Sequence, residues 1–465
     1  MQFNTIEYLL WFLPAVLVGY CLFRRFASQG LTTGMLVVSS LVFYGWHAPK
    51  MVLFLLVMIA VNWAASRQLA QQRGGKALLI GVVVMNLLPL VFYKYTTFLI
   101  PQLHGVLKVA VPLGISYFTF VQISFAVDTF RGRTVASFWN YALASVFWPK
   151  LVAGPIIRPA AFSAQWLRPC NRRIQSHRIV LALFVFTLGL GKKVILADPL
   201  GAMADWGWGA LPLKMGAAWL STAAYTLQLY FDFSGYSDMA WGSALLFNIR
   251  LPWNFNSPYK AASIQDFWRR WHISLSLWLR DYLYFTFGGS RGGLPKTIRN
   301  VFFTFLLGGI WHGAGWTFVI WGALHGLMLS VNNLWRKLQS RRLPLVLGWA
   351  LTILGVHIAW VFFRAPDAIS AFSMLHAMLG LTADSAKGWD WTNSSPVLTY
   401  SFVALCATIL TFPNTRDLAL SLIRGWHSPV KVVCAGVACG AIVLLAVVCG
   451  MCESVPSIPF VYFQF

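Results

Sequence analysis

Apolar stretches long enough to cross a bilayer recur along this 465-residue chain. About 20 consecutive apolar residues span the ~30 Å hydrocarbon core as a helix, and lipid admits only structures that satisfy their own backbone hydrogen bonds. Candidate spans or membrane-embedded segments lie near residues 7 to 23, 31 to 46, 51 to 65, 77 to 93, 107 to 127, 138 to 157, 179 to 197, 215 to 233, 301 to 330, 344 to 363, 396 to 412 and 430 to 451. With 58% hydrophobic and only 11% charged residues, the chain reads as an all-α polytopic membrane protein. No linker-like run or internal repeat divides it, so a single membrane-embedded domain over 1–465 is the simplest organisation. The 301 to 330 stretch is too long and too glycine-rich for one simple helix.

The net charge of +23 follows from topology. Basic residues punctuate the apolar runs: Arg24 and Arg25; Arg67, Arg73 and Lys76; Arg168, Arg172, Arg173 and Arg178; Arg336, Lys337, Arg341 and Arg342. By the positive-inside rule these mark cytoplasmic loops next to anionic lipid. The partner they imply is the lipid bilayer, not nucleic acid, which would need one soluble basic patch. The first stretch lacks a small-residue cleavage site, so it reads as a retained helix with the N-terminus outward. Seven scattered cysteines without paired CxxC spacing suggest neither a disulfide framework nor zinc, and Cys434 to Cys452 read as small hydrophobes in a terminal helix. No metal is expected.

His312 stands out within VFFTFLLGGIWHGAGWTFVIWGALHGLML, residues 301–329. An ionisable group at membrane depth is costly unless it meets a partner or a cavity, so it marks a functional site or an interhelical hydrogen bond. A neutral imidazole can take the proton of an attacking hydroxyl. Gly308, Gly309, Gly313 and Gly315 permit close approach by backbone or a thin substrate, and Trp311 and Trp316 are candidate walls. His325 competes for the role. Its thirteen-residue offset is about 220° on an ideal helix, so one uninterrupted helix would point the two histidines to nearly opposite faces. His47, His104, His177, His357, His376 and His427 lack comparable surroundings and read as structural or surface residues.

Continuous apolarity fails over 228–300. There, DFWRRWHISLSLWLRDY (266–282) divides on a helical period. Trp271, Leu275, Trp278 and Tyr282 share one stripe; Arg269, His272, Ser276 and Arg280 share the opposite one. Two readings fit: an interfacial helix whose arginines touch lipid phosphates, or a His/Arg stripe facing a polar tunnel that holds an anionic substrate. Asp266 is placed to cap the helix, and Asp232 and Asp238 to pair with arginines or cap helix ends. The chain has no GxSxG elbow, Walker A loop or Rossmann glycine fingerprint, which removes support for a hydrolase, an ATP-driven pump or a dinucleotide oxidoreductase. The residues alone define a membrane enzyme or transporter with a histidine-lined cavity.

Taken together, YFDFSGYSDMA, NFNSPY, DFWRRWHISLSLWLRDYLY, GGIWHG and ALHG, with VPLGISYFTF, LVAGPIIRP and AWVFFRAPD in order around them, strongly resemble the membrane-bound O-acyltransferase family in its bacterial alginate O-acetylation branch. The resemblance runs through nearly the whole chain. It implies a helical core with a central tunnel and re-entrant or interfacial helices, its motif-rich centre at about 228–330. His312 takes the family's catalytic position, as general base. His272 takes a second polar position, often asparagine in eukaryotic relatives, as a substrate-positioning or polarising partner. Arg269, Arg270, Ser276, Arg280 and Trp311 are the candidate substrate-binding residues, the arginines for donor phosphates.

The implied donor is acetyl-CoA from the cytosol, with no tightly bound cofactor, and the implied location is the bacterial inner membrane. The implied partners are periplasmic acetyltransferases of a polysaccharide-modification complex. The immediate acceptor is either a partner's hydroxyl or the polymer. Gly315 stands where alginate-type relatives often carry asparagine, which leaves alginate, cellulose and other exopolysaccharides open. A D-alanyl or peptidoglycan-directed acyltransferase is the first alternative. A transporter of polysaccharide or acyl carrier is the second, and it would show paired repeats that the chain lacks.

Overall fold

A computed structural model describes residues 1–46, 48–71, 73–100, 111–132, 137–169, 175–338, 343–383, 385–388, 409–426, 428–451 and 460. Among them the regular structure is helical, with one isolated bridge between Leu213 and Lys387. His47, His104, His427, Cys170, Cys406 and Cys452, two basic positions in each of the third and fourth clusters, and most of the expected 396 to 412 span lie outside the described residues.

We number the helices α1 (Glu7–Phe26), α2 (Gln29–Gly45), α3 (Pro49–Ala70), α4 (Gly75–Leu99), α5 (Ile115–Phe130), α6 (Phe138–Val146), α7 (Trp148–Leu151), α8 (Pro159–Trp166), α9 (Ser176–Gly209), α10 (Met215–Leu246), α11 (Ile264–Arg270), α12 (Ile273–Leu279), α13 (Gly293–His312), α14 (Trp316–Leu338), α15 (Leu345–Arg364), α16 (Ala368–Met378), α17 (Thr415–Arg424) and α18 (Pro429–Met451). Among the described residues, six helices are long and apolar enough to cross a membrane: Glu7–Phe26, Pro49–Ala70, Gly75–Thr96, Ser176–Gly209, Leu345–Arg364 and Val430–Val447. The stretch expected to span at 138 to 157 is instead broken into α6 and α7. Phe147 leaves the helical region between them, and Pro149 lies in the first turn of the second.

The chain forms two compact units. The first comprises Met1–Leu190, Tyr236–Pro252 and Leu422–Gly440. Some of its buried polar side chains pair across helices. Asn62 on α3 and Asn86 on α4 exchange side-chain amide hydrogen bonds of 3.1 and 2.7 Å, and Tyr8 Oη lies 2.7 Å from Ser243 Oγ.

The second unit comprises Gly191–Gly235, Trp253–Ser421 and Ala441–Phe465. Its core is aromatic, built around Phe267, Trp268, Trp271, Trp321, Trp360 and Phe363. α13 and α14 form a hairpin in which two glycines let the backbones meet. A Cβ on Gly309 would lie 2.4 Å from Phe318 O, and one on Gly322 would lie 2.6 Å from Phe305 O. The expected glycine-driven break in 301 to 330 is therefore present, and Gly309 serves helix–helix approach.

This unit also buries charge. Lys193, in a π-helical turn (Lys192–Ala197) within α9, forms an ion pair with Asp198 at 2.7 Å and donates a hydrogen bond to Asp232 at 2.8 Å, with side-chain exposures of 1%, 7% and 2%. Asp232 was expected to pair with an arginine or cap a helix end; it pairs with this lysine. His357, expected to be structural or on the surface, clamps α15 to α10: its Nδ1 is 2.9 Å from Thr226 Oγ1 and its Nε2 3.1 Å from Thr222 Oγ1.

Candidate active site

His312 is the last residue of α13. Gly313 then adopts an extended conformation that ends the helix, and α14 restarts at Trp316. The reversal needs glycine, because a Cβ at Gly313 would lie 2.0 Å from the Phe318 ring. His312 is 6% exposed. Its ring meets Trp311, Trp321 and Phe363 edge-on, with centroids 4.6, 4.9 and 5.2 Å away. Trp311 thus flanks the imidazole. Trp316 does not: it is 68% exposed.

His325 is fully buried on α14, one turn beyond Trp321. Its ring lies 4.8 Å from that of Trp321, and Trp268 Nε1–H donates to its Nδ1 at 3.2 Å. The expectation that His312 and His325 point apart rested on one continuous helix. The break at Gly313 folds the chain back, and both imidazoles meet the same Trp321 ring.

The single helix expected over 266–282 is two. α11 ends at Arg270, and His272 sits at the N-cap of α12 with φ 40° and ψ 54°. This left-handed conformation is uncommon for a non-glycine residue, though histidine tolerates it better than most. Asn254 secures it from both sides of its own peptide: Ile273 N donates to Asn254 O at 2.9 Å, while Ser274 N and Oγ donate to Asn254 Oδ1 at 3.2 and 2.6 Å. Arg270 O in turn accepts from Asn256 N at 2.9 Å. The NFN segment thus staples the junction between two helices, and His272 is fully buried with its ring 4.6 Å from Phe233.

The break also dissolves the predicted cationic stripe. Arg269 and Arg280 are exposed, Ser276 is half-buried, and His272 is fully enclosed. Arg270 pairs with Asp266 at 2.9 Å and Arg280 with Asp281 at 2.8 Å. The apolar stripe survives: Trp271, Leu275, Trp278 and Tyr282 are all buried. Ser263, not Asp266, caps α11, its hydroxyl accepting from Asp266 N at 3.2 Å.

Three contributors escaped the sequence reading. Asn254 belongs to a motif that had no assigned role, and Trp268 was invisible as a donor until its acceptor came from α14. Lys193 carried the clearest signal, an ionisable residue inside an apolar run. Among the described residues no group of three or more His, Cys, Asp or Glu is arranged to hold a metal.

Residues 52–375, which include His272, His312 and His325, match the membrane-bound O-acyltransferase family, MBOAT. The chain belongs to this family and is a membrane O-acyltransferase. It is 38% identical to a peptidoglycan O-acetyltransferase of Helicobacter pylori, over 83% of this chain and 81% of that protein. It is 39% identical to the probable alginate O-acetylase AlgI of Pseudomonas aeruginosa, over 81% and 75%. The teichoic acid D-alanyltransferase of Bacillus subtilis is 27% identical over 75% and 91%.

Proposed function

We propose that this protein moves acetyl groups from a cytoplasmic thioester, acetyl-CoA, across the bacterial inner membrane for O-acetylation of an exopolysaccharide such as alginate or cellulose. The observation that carries the reading is the burial of His312 in an aromatic enclosure at a helix break, inside a chain of this family. The relatives at 38% and 39% identity are named for O-acetyl transfer and the one at 27% for D-alanyl transfer, which ranks acetyl above D-alanyl. In this reading His312 acts as a general base through its neutral imidazole. It takes the proton of the acceptor hydroxyl as the new C–O bond forms, and returns a proton to sulfur as the C–S bond breaks.

His272 acts as the positioning partner, its strained backbone fixing the imidazole. Arg269 and Arg280, both exposed, are assigned in this reading to the donor phosphates, together with Arg270 and Ser276, and Trp311 packs against the base. No cofactor is tightly bound in this mechanism. Periplasmic acetyltransferases complete the transfer, so the immediate acceptor is a partner hydroxyl or the polymer.

A peptidoglycan acceptor is the second reading, favoured by the Helicobacter relative. Deleting the gene and measuring base-labile acetate on exopolysaccharide and on purified peptidoglycan separates the two. Loss from the exopolysaccharide fraction alone is expected; loss from peptidoglycan alone would overturn that choice of acceptor, and unchanged acetate on both would overturn acetyl transfer.

A further inference from the structure

Trp321 and His325 lie four residues apart on α14 and so project from one face of it. Both are buried, Trp321 at 2% and His325 at 0% exposure. Trp321 Nε1 and His325 Nε2 each have no hydrogen-bond partner among the described residues. The tautomer of His325 is set by Trp268. Indole nitrogen only donates, so Nδ1 must carry a lone pair to accept the 3.2 Å bond, and the neutral ring then bears its proton on Nε2. Two N–H donors therefore stand on one helix face, in a water-poor enclosure, and the first belongs to the ring against which His312 packs. A packing role would be served as well by Phe and Leu, without two buried donors that need acceptors.

We propose that Trp321 Nε1–H and His325 Nε2–H form the oxyanion-binding pair of the acyl-transfer site, receiving the acyl carbonyl oxygen. The inference rests on the reading of His312 as general base. When the acceptor hydroxyl adds to the thioester carbon, its proton passes to His312 and the carbonyl π pair moves onto oxygen. That oxygen's charge is held by the two N–H groups. As the carbonyl re-forms, the C–S bond breaks and His312 returns the proton to the thiolate. The pair exchanges no atom; donors fixed in a low-dielectric site favour the charge where it develops.

The test is acetyl-CoA turnover by the full chain in proteoliposomes, comparing wild type with Trp321→Phe, His325→Leu, His325→Gln and His312→Ala at matched insertion. Trp321→Phe keeps an aromatic ring and removes only the donor function; Gln keeps both a donor and an acceptor. Trp321→Phe and His325→Leu are each expected to lower kcat by about 100-fold with KM for acetyl-CoA changed by less than about 3-fold, and His325→Gln to stay within about 10-fold of wild type. Turnover within about 3-fold of wild type for Trp321→Phe, or His325→Gln as impaired as His325→Leu, would overturn the proposal. If His325→Leu fails to insert, Trp321→Phe and His325→Gln still decide it. The His312→Ala arm separates the two claims: an active His312→Ala removes the general base, whereas an inactive one beside active donor variants removes only the oxyanion pair.

Discussion

Replacing Lys193 by Met should be among the most damaging single changes outside the histidine site, because it strands two buried carboxylates. The ammonium is 2.7 Å from Asp198 and 2.8 Å from Asp232. Removing one partner from a buried ion pair typically costs about 3–5 kcal/mol, since the remaining charge stays desolvated. We expect Lys193→Met to lower the detergent melting temperature strongly, and Asp232→Asn introduced with it to recover part of the loss. A double variant no better than the single one would argue against this coupling. The same physics explains what was legible residue by residue. His312 announced itself because an imidazole in an apolar run is expensive. Asp232 was read as pairing with an arginine or capping a helix end, because Lys193 lies 39 residues upstream, beyond any helical spacing rule. The position of His325 depended on a chain reversal, so its shared contact with Trp321 was hidden until α13 and α14 were placed.

Among the elements, the two helix breaks shape the candidate site. Asn254 Oδ1 accepts two hydrogen bonds at the α11–α12 junction, so Asn254→Ala should cost about 1–3 kcal/mol and lower acyl transfer by releasing His272 from its left-handed conformation. Asn254→Asp, which retains the acceptor, should keep more activity than Ala; equal activity of both variants and wild type would remove the staple from the mechanism. In the α13–α14 hairpin, Gly322→Val should reduce the amount of inserted protein, read by quantitative immunoblot of membranes, because its Cβ would lie 2.6 Å from Phe305 O. Period and composition found the apolar stripe over 266–282 because burial of Trp271, Leu275, Trp278 and Tyr282 obeys helical spacing on each side of the break. They missed the break because a left-handed histidine leaves the residue pattern unchanged. That 301 to 330 is not one helix was foreseen because glycine density and length both argued against it; the reversal into a hairpin was not.

For the whole molecule, bilayer physics made the class of fold readable while leaving the division into helices less so. The first span, those near 51 to 65, 77 to 93 and 344 to 363, and the terminal 430 to 451 span correspond to helices that satisfy length and apolarity together. Interior segments such as 138 to 157 are apolar because protein surrounds them, so hydropathy alone mistook short buried helices for a span. The basic clusters carry a further expectation. Gln71, between Arg67 and Lys76, should face the cytoplasm; a Gln71→Cys variant, other cysteines replaced, should react with a membrane-impermeant maleimide in inverted vesicles and not in intact spheroplasts. The reverse labelling would invert the topology and, with it, the side from which the donor enters.

The most direct measurement is the acetyl ester content of the isolated polymer in cells whose only copy carries His312→Ala, normalised to inserted protein. A general base contributes about 10²–10⁴-fold, so ester content should fall to the level of the deletion strain at equal membrane abundance. Wild-type ester content in a stably inserted His312→Ala protein would contradict the assignment of His312 as the base for acyl transfer.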